Sequence, residues 1–303
     1  MIIKELKTYF FDELIEIHGQ DEVESFFFIL TEYLHGLKRI DLALVPNFEI
    51  SKEEVRKWET IISELKTEKP IQYIIGETWF YDSKFYVNEH TLIPRPETEE
   101  LVDWIVESQK SKVKSQKIDQ DDVISSGVEM QILDIGTGTG CIPISIKKNI
   151  PQAEVFAIDI SEEALKVAKR NAVENNVEVN FILQNILEVE KLSIINYQLP
   201  IKFDVIVSNP PYVRNLEKQE IKKNVLEYEP HLALFVEDND ALLFYRKIAQ
   251  LAKESLTENG QLFFEINQYL GKETVELLEQ LGFKNIELQK DIYGNDRMIK
   301  CNL

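Results

Sequence analysis

Two hydrophobic rhythms divide this chain. Over the first 70 residues apolar side chains recur at helical spacing, as in Leu6, Tyr9, Phe10, Leu14 and Ile17, and Ser51 with Glu54 has the form of a capping box. Glycine is sparse before Gly76, so residues 1–70 are expected to form a small helical domain. Between 71 and 93 the rhythm changes to alternation, with Ile71, Tyr73 and Ile75, then Trp79 and Tyr81, then Phe85 and Val87. That period of two predicts a β-hairpin linker. From 94 to 303 short apolar runs begin near 130, 154, 179, 203, 260, 284 and 296, separated by helical segments. The alternation predicts an α/β domain, a seven-stranded and mostly parallel sheet with helices on both faces, with Gly260 and Gly282 closing helices. Residues 108–129 interrupt it. They are rich in Lys, Ser, Gln and Asp with few apolar positions, and read as a flexible surface insertion.

The chemistry sits where strands are expected to end. The run 203–207 leads into Ser208-Asn209-Pro210-Pro211-Tyr212, a polar turn stiffened by two prolines that have no N–H to compete with their carbonyls. Such a turn suits a planar NH2 group: the Asn209 side-chain oxygen and the Pro210 main-chain oxygen would each accept one N–H, and the Tyr212 ring would stack on the flat group that carries it. Upstream, Asp134-Ile135-Gly136-Thr137-Gly138-Thr139-Gly140 follows the first strand, where glycines let the backbone approach a ligand and the next helix presents its positive end. A dinucleotide fingerprint would place glycine or alanine at 141; this chain has Cys141. The second strand ends in Asp159, placed to accept both ribose hydroxyls, while Ser161 with Glu162 and Glu163 serves the following helix as its N-cap. After the third strand the Asn185 amide would read an adenine edge and Ile186 would cover the ring; a plain turn role for Asn185 stands beside that reading.

In this order the motifs resemble the class I S-adenosylmethionine-dependent methyltransferases. More closely they resemble the HemK/PrmC family, which methylates the side-chain N5 of glutamine in peptide chain release factors. The stretch Leu92-Ile93-Pro94-Arg95-Pro96-Glu97-Thr98-Glu99 looks like that family's signature, and Gln72-Tyr73-Ile74-Ile75-Gly76, Glu229-Pro230 and 291–297 are weaker matches. One departure is Asn185, where an acid is common in the family. The resemblance implies a Rossmann-like core whose last strands pair antiparallel, and an N-terminal domain that docks substrate. It implies catalysis by Asn209, Pro210 and Tyr212, with the glutamine held by these and Pro211. The cofactor, released as S-adenosylhomocysteine, would be bound by Gly136, Thr137, Gly138, Thr139, Gly140, Asp159, Asn185, Ile186 and Asn209. The implied partner is a release factor carrying a Gly-Gly-Gln motif.

Composition changes the picture by exclusion. With 34 Lys and Arg against 53 Asp and Glu, the net charge of −19 disfavours a nucleic-acid partner, since phosphate binding is driven by basic side chains. No run approaches the roughly 20 apolar residues of a membrane span, and the beginning of the sequence lacks a signal-peptide layout, so a cytoplasmic monomer is expected. Two cysteines and four scattered histidines form no metal-ligand spacing, and no metal is expected. Two alternatives are weighed against the favoured reading: an amino-methyltransferase acting on adenine N6 or guanine N2 of nucleic acid, and a nicotinamide-dependent dehydrogenase or noncatalytic nucleotide-binding module.

Overall fold

Helical periodicity near the N-terminus encloses a core of its own. A computed structural model describes residues 1–118, 130–192 and 202–303. Its first compact unit comprises 1–76 together with 222–228. Helices α1 (Ile3–His18), α2 (Gln20–His35), α3 (Arg39–Leu44), α4 (Lys52–Leu65) and α5 (Ile71–Ile75) make up most of it. Leu6, Phe10 and Leu14 are fully buried as their spacing demands, whereas Tyr9 and Ile17 flank the stripe and stay exposed. Trp58 fills the centre, edge-on to Phe10 with ring centroids 5.5 Å apart, and its indole N–H donates to His35 Nε2 at 3.0 Å. The Ser51–Glu54 box closes reciprocally: the Ser51 N–H donates to Glu54 at 2.8 Å and the Glu54 N–H to Ser51 Oγ at 3.3 Å.

The alternation at 71–75 belongs to a helix. Ile71, Ile74 and Ile75 all pack on the helical core, and Gly76, at φ 75°, ends α5 in the left-handed region. Five residues are too few for period two to be told from one helical turn, so the helical unit extends past residue 70. The hairpin itself is shorter, β1 (Glu77–Phe80) and β2 (Ser83–Tyr86), and it turns through Tyr81 and Asp82, both at positive φ. A two-residue loop of this hand matches the twist of the strands, although Tyr-Asp is not a sequence that announces it.

The second unit holds the described residues of 77–221 and 229–303. After the hairpin come α6 (Pro96–Ile118), β3 (Gln131–Ile135), α7 (Cys141–Asn149), β4 (Glu154–Asp159), α8 (Glu162–Glu174), β5 (Asn180–Leu183), β6 (Phe203–Ser208) and β7 (Val213–Arg214). Helix α9 (Lys223–Tyr228) belongs to the helical unit, where Tyr228 donates to Thr67 Oγ1 at 2.7 Å and Lys223 pairs with Glu68 at 2.9 Å. The chain continues through α10 (His231–Leu234), β8 (Phe235–Val236), α11 (Leu243–Ser255), β9 (Leu256–Glu265), α12 (Gly271–Gln280), β10 (Lys284–Lys290) and β11 (Asp296–Asn302).

Seven of these strands form one sheet in the order β10-β11-β9-β6-β3-β4-β5. The five from β9 to β5 run parallel, and β11 lies antiparallel to both its neighbours. Side chains alternate across it. Leu133, Phe156, Ile206 and Phe264 face a core shared with α11 and α12, while Ile132, Val155, Val205 and Phe263 face one shared with α6 and α7. This is the three-layer class I methyltransferase fold expected from the sequence. Strand order reverses at β3, whose neighbours are β4 and β6, so the C-terminal ends of these strands frame a crevice.

Two boundaries differ from expectation. Gly260 lies within β9 and not at a helix end: a Cβ there would come within 2.8 Å of the Phe203 carbonyl, so glycine permits close strand contact. Residues 108–118, read as part of a flexible insertion, continue helix α6; Gln109 is buried and donates to Gln261 at 2.9 Å. The remainder of that insertion, 119–129, lies outside the described residues. Among the described residues no helix is long and apolar enough to cross a membrane.

Candidate active site

The glycine loop leaves β3 and turns over the end of β4. Gly136 and Thr137 donate their N–H groups to the Ile158 carbonyl at 2.8 and 3.0 Å, and Gly138 donates to Asp159 Oδ2 at 2.8 Å. Gly136, Gly138 and Gly140 all take positive φ, at 79°, 52° and 79°. They serve different ends. A Cβ on Gly138 would meet nothing within 4 Å, so its surface is open to a ligand; one on Gly140 would press on Ile144 at 3.0 Å and Ala168 at 3.1 Å. Gly140 therefore permits helix packing and lies outside the cavity lining.

Asp159 is bound more tightly by the fold than its motif suggests. Its second oxygen accepts the Ser161 N–H at 2.8 Å, while the Ser161 hydroxyl caps α8 through Ala164 at 3.1 Å. Burial raises its carboxyl above the ordinary value, and these backbone donors pull it back in part. Each oxygen retains a lone pair for a hydroxyl. Behind the loop, Asp134 is wholly buried and neither oxygen meets a donor in hydrogen-bonding geometry. Burial pushes its carboxyl up to about 7, against a partial lowering by the Thr137 hydroxyl.

These elements line a cavity of about 310 Å3. Gly136, Thr137, Gly138, Thr139, Asp159, Asn185, Ile186, Asn209, Pro210 and Pro211 all line it, so four segments at the ends of β3, β4, β5 and β6 meet at one site. Ile135, Ile158, Ile186 and Phe244 give it apolar walls, against which a nucleoside ring would be desolvated. The Asn-Pro-Pro turn closes against the glycine loop: a Cβ on Gly136 would lie 4.0 Å from the Asn209 main-chain oxygen. Ser208 pins the turn's base by donating to the Ile135 carbonyl at 2.6 Å. Open glycine backbone, a carboxylate with spare lone pairs and apolar walls together fit an adenosyl cofactor.

Two of the expected roles change. Asn185 accepts the Leu187 N–H at 3.1 Å and donates to Glu188 at 2.9 Å, capping the short 3-10 helix Ile186–Glu188, so its amide is already committed to the turn. Tyr212 does not line the cavity. Its ring packs on the core, its hydroxyl donates to Glu265 at 3.1 Å, and its main-chain carbonyl accepts from Asn267 at 2.9 Å. A buried phenol needs an acceptor, and Glu265 supplies it.

Sequence reasoning gave no role to several further lining residues. His90, Thr91, Leu92, Pro94 and Arg95 line the cavity from the segment between β2 and α6, together with Thr98 in the first turn of α6 and Leu232 and Ala233 of α10. Arg95 is held by an ion pair with Glu229, whose other oxygen accepts the Ile93 N–H at 3.2 Å. The 92–99 signature and Glu229-Pro230 were the available signal. Among the described residues no cluster of three or more His, Cys, Asp or Glu is placed to hold a metal.

Comparison with known proteins agrees with this geometry. Residues 11–76 match the PrmC N-terminal domain and residues 116–232 the Methyltransferase small domain. The chain is 59% identical to the release factor glutamine methyltransferase of Flavobacterium psychrophilum, covering 100% of this chain and 99% of that protein. It is 39% identical to that of Bacteroides thetaiotaomicron, covering 98% and 99%. Among solved structures, the hMettl16 catalytic domain in complex with the MAT2A 3'UTR hairpin 6 superimposes with a TM-score of 0.52 at 14% identity, over 84% of this chain and 83% of that one, and shares the fold. A helical N-terminal unit, a methyltransferase core with its Asn-Pro-Pro-Tyr turn, and full-length relatives at this identity place the chain in the family of release factor glutamine methyltransferases.

Proposed function

We propose that this enzyme transfers a methyl group from S-adenosylmethionine to the side-chain N5 of the glutamine in the Gly-Gly-Gln motif of peptide chain release factors. The observation that carries the reading is the convergence of Asn209, Pro210 and Pro211 with the glycine loop and Asp159 on one cavity at the reversal of strand order. When bound, S-adenosylmethionine supplies a methyl group activated on a sulfonium. Gly136, Thr137, Gly138 and Thr139 would offer the backbone against which it lies, Asp159 would accept its ribose hydroxyls, and Ile186 would cover its base.

An amide nitrogen is a poor nucleophile because its lone pair is delocalised into the carbonyl. The Asn209 side-chain oxygen and the Pro210 main-chain oxygen would each accept one of its N–H groups, turn the lone pair toward the methyl, and stabilise the positive charge that grows on nitrogen. Alignment of this kind lowers barriers by up to roughly 7–11 kcal/mol in ideal cases. The S–C bonding pair would stay with the sulfur as the N–C bond forms, giving S-adenosylhomocysteine, and the nitrogen held by Asn209 and Pro210 would lose its surplus proton to water. No metal enters this scheme. The net charge of −19 supports a protein acceptor over nucleic acid, and the match of residues 11–76 to the PrmC N-terminal domain supports a docking role for the helical unit.

The test is methyl transfer from labelled S-adenosylmethionine offered purified release factor, the same factor with its Gly-Gly-Gln glutamine changed to alanine, bulk DNA and bulk RNA. Label on the unaltered factor alone is expected. Label on nucleic acid, or on both forms of the factor, would overturn the choice of acceptor.

A further inference from the structure

Asn209 can serve as an acceptor only if its amide faces the right way, and oxygen and nitrogen of an amide differ little in shape. Something must choose between the two orientations. Behind the Asn209 side chain lies a chain of hydrogen bonds within the methyltransferase unit. Asn209 Nδ2 donates to Thr98 Oγ1 at 3.4 Å, Thr98 Oγ1 donates to Glu265 Oε2 at 2.6 Å, and the Tyr212 hydroxyl donates to Glu265 Oε1 at 3.1 Å. Thr98 sits in the first turn of α6 and is 3% exposed; Glu265 ends β9 and is 2% exposed. Burial raises the Glu265 carboxyl, and the Thr98 hydroxyl, the Arg297 guanidinium and the Tyr212 hydroxyl counter it by favouring the ionised form.

We infer that Thr98 and Glu265 are positioning residues that set the amide orientation of Asn209 for methyl transfer. In the 2.6 Å bond between them the Thr98 hydroxyl is the donor and Glu265 the acceptor, and a hydroxyl has one proton to donate. Glu265 therefore takes the one proton that the Thr98 hydroxyl has to give, so toward Asn209 that hydroxyl can only accept. Accepting requires the NH2 end of Asn209 to face Thr98, which leaves the oxygen end facing the cavity, where an N–H of the acceptor amide must be held. The direction of each bond follows from the one before it. Tyr212 anchors the other carboxylate oxygen from the same turn that carries Asn209, so turn and anchor stay in register.

This inference rests on the role given to Asn209 above, and its test separates the two. Turnover, the KM for release factor, and the Kd for S-adenosylmethionine are measured for wild type, Thr98→Val, Thr98→Ser, Glu265→Gln and Asn209→Ala. Thr98→Val keeps the shape and removes the acceptor; it is expected to lower kcat about 10- to 100-fold, as small misplacements of a reacting group do, with KM and Kd within about threefold of wild type. Thr98→Ser, which restores the hydroxyl, is expected to recover kcat to within about threefold. Glu265→Gln brings an NH2 group to Thr98 and lets the hydroxyl donate toward Asn209, so it is expected to fall with Thr98→Val; should it fail to fold, the Thr98 pair decides alone. A Thr98→Val enzyme as fast as wild type, or one that loses only affinity, overturns the inference while a slow Asn209→Ala leaves the proposed function standing. An Asn209→Ala enzyme with normal turnover overturns both.

Discussion

Asp134 is the group whose protonation the fold perturbs in the most measurable way. It is fully buried at the end of β3, neither oxygen meets a donor in hydrogen-bonding geometry, and despite the nearby Thr137 hydroxyl its carboxyl is pushed up to about 7 against an ordinary value of 3.8. With the folded value above the unfolded one, the native protein holds more protons than the unfolded chain between about pH 4 and 7. Stability therefore falls as pH climbs through that window, by about 1.4 kcal/mol per unit, and levels off above it. Between pH 5 and pH 8 two units of that slope are crossed, so Asp134 should cost roughly 2–3 kcal/mol at pH 8 relative to pH 5.

Asp134→Asn removes the charge and keeps the shape. Its own amide bears a fixed desolvation cost, so the informative quantity is how the difference between variant and wild type changes with pH. Melting temperature followed by circular dichroism at pH 5, 6, 7 and 8 should show the variant gaining on wild type by roughly 5–10 °C across the range, at about 2–4 °C per kcal/mol for a unit of this size. A difference that stays flat from pH 5 to 8 would refute the argument, because it would mean that Asp134 is paired or solvated in the native state. A variant that loses ground as pH rises would reverse its sign.

Other expectations concern the site directly. Asn209→Ala should lower kcat about 10²- to 10³-fold, the scale of losing one donor or acceptor aimed at developing charge, with cofactor Kd little changed by isothermal titration. Gly138→Ala and Gly140→Ala should separate by readout: the first, with open space around its Cβ, should weaken cofactor binding with a small loss of stability, whereas the second, pressed on Ile144 and Ala168, should lower the melting temperature even without cofactor. Tyr212→Phe keeps the ring and removes one donor from buried Glu265; it should destabilise the protein by about 1–3 kcal/mol in urea titration while leaving the KM for release factor near wild type.

What the sequence disclosed follows from how local each signal is. The parallel strands β3, β4, β6 and β9 were legible because strands buried on both faces read as continuous apolar runs, and Ser161 was legible as a cap because capping needs only the next three residues. The helix at 71–75 was not, since one turn of Ile-Gln-Tyr-Ile-Ile satisfies period two as readily as 3.6. Nor was the tail of α6, whose polar composition resembles a loop until the Gln109–Gln261 bond is seen. For the site, the glycine loop, Asp159 and the Asn-Pro-Pro turn were recoverable because each carries its chemistry in contiguous residues. The Thr98–Glu265 pair was hidden because its members are 167 positions apart and meet only through the sheet.

That separation explains why Tyr212 departs from its expected role. Read from its neighbours alone, an aromatic after Asn-Pro-Pro is a stacking surface, since the turn faces a planar group and the ring is next in line. The fold supplies a competing demand: Glu265 arrives buried at the end of β9, and a carboxyl group there must be met by hydrogen-bonding partners. The Thr98 and Tyr212 hydroxyls meet it. Once its hydroxyl is fixed, the ring cannot swing toward the cavity without leaving a buried carboxyl oxygen unpaired, a cost of about 1–3 kcal/mol that stacking on one acceptor group, worth about 1 kcal/mol, does not offset. The turn is thus held from two sides, by Ser208 at the β3 edge and by Tyr212 at the β9 edge, and the prolines between them leave Asn209 as the one side chain whose orientation still has to be chosen.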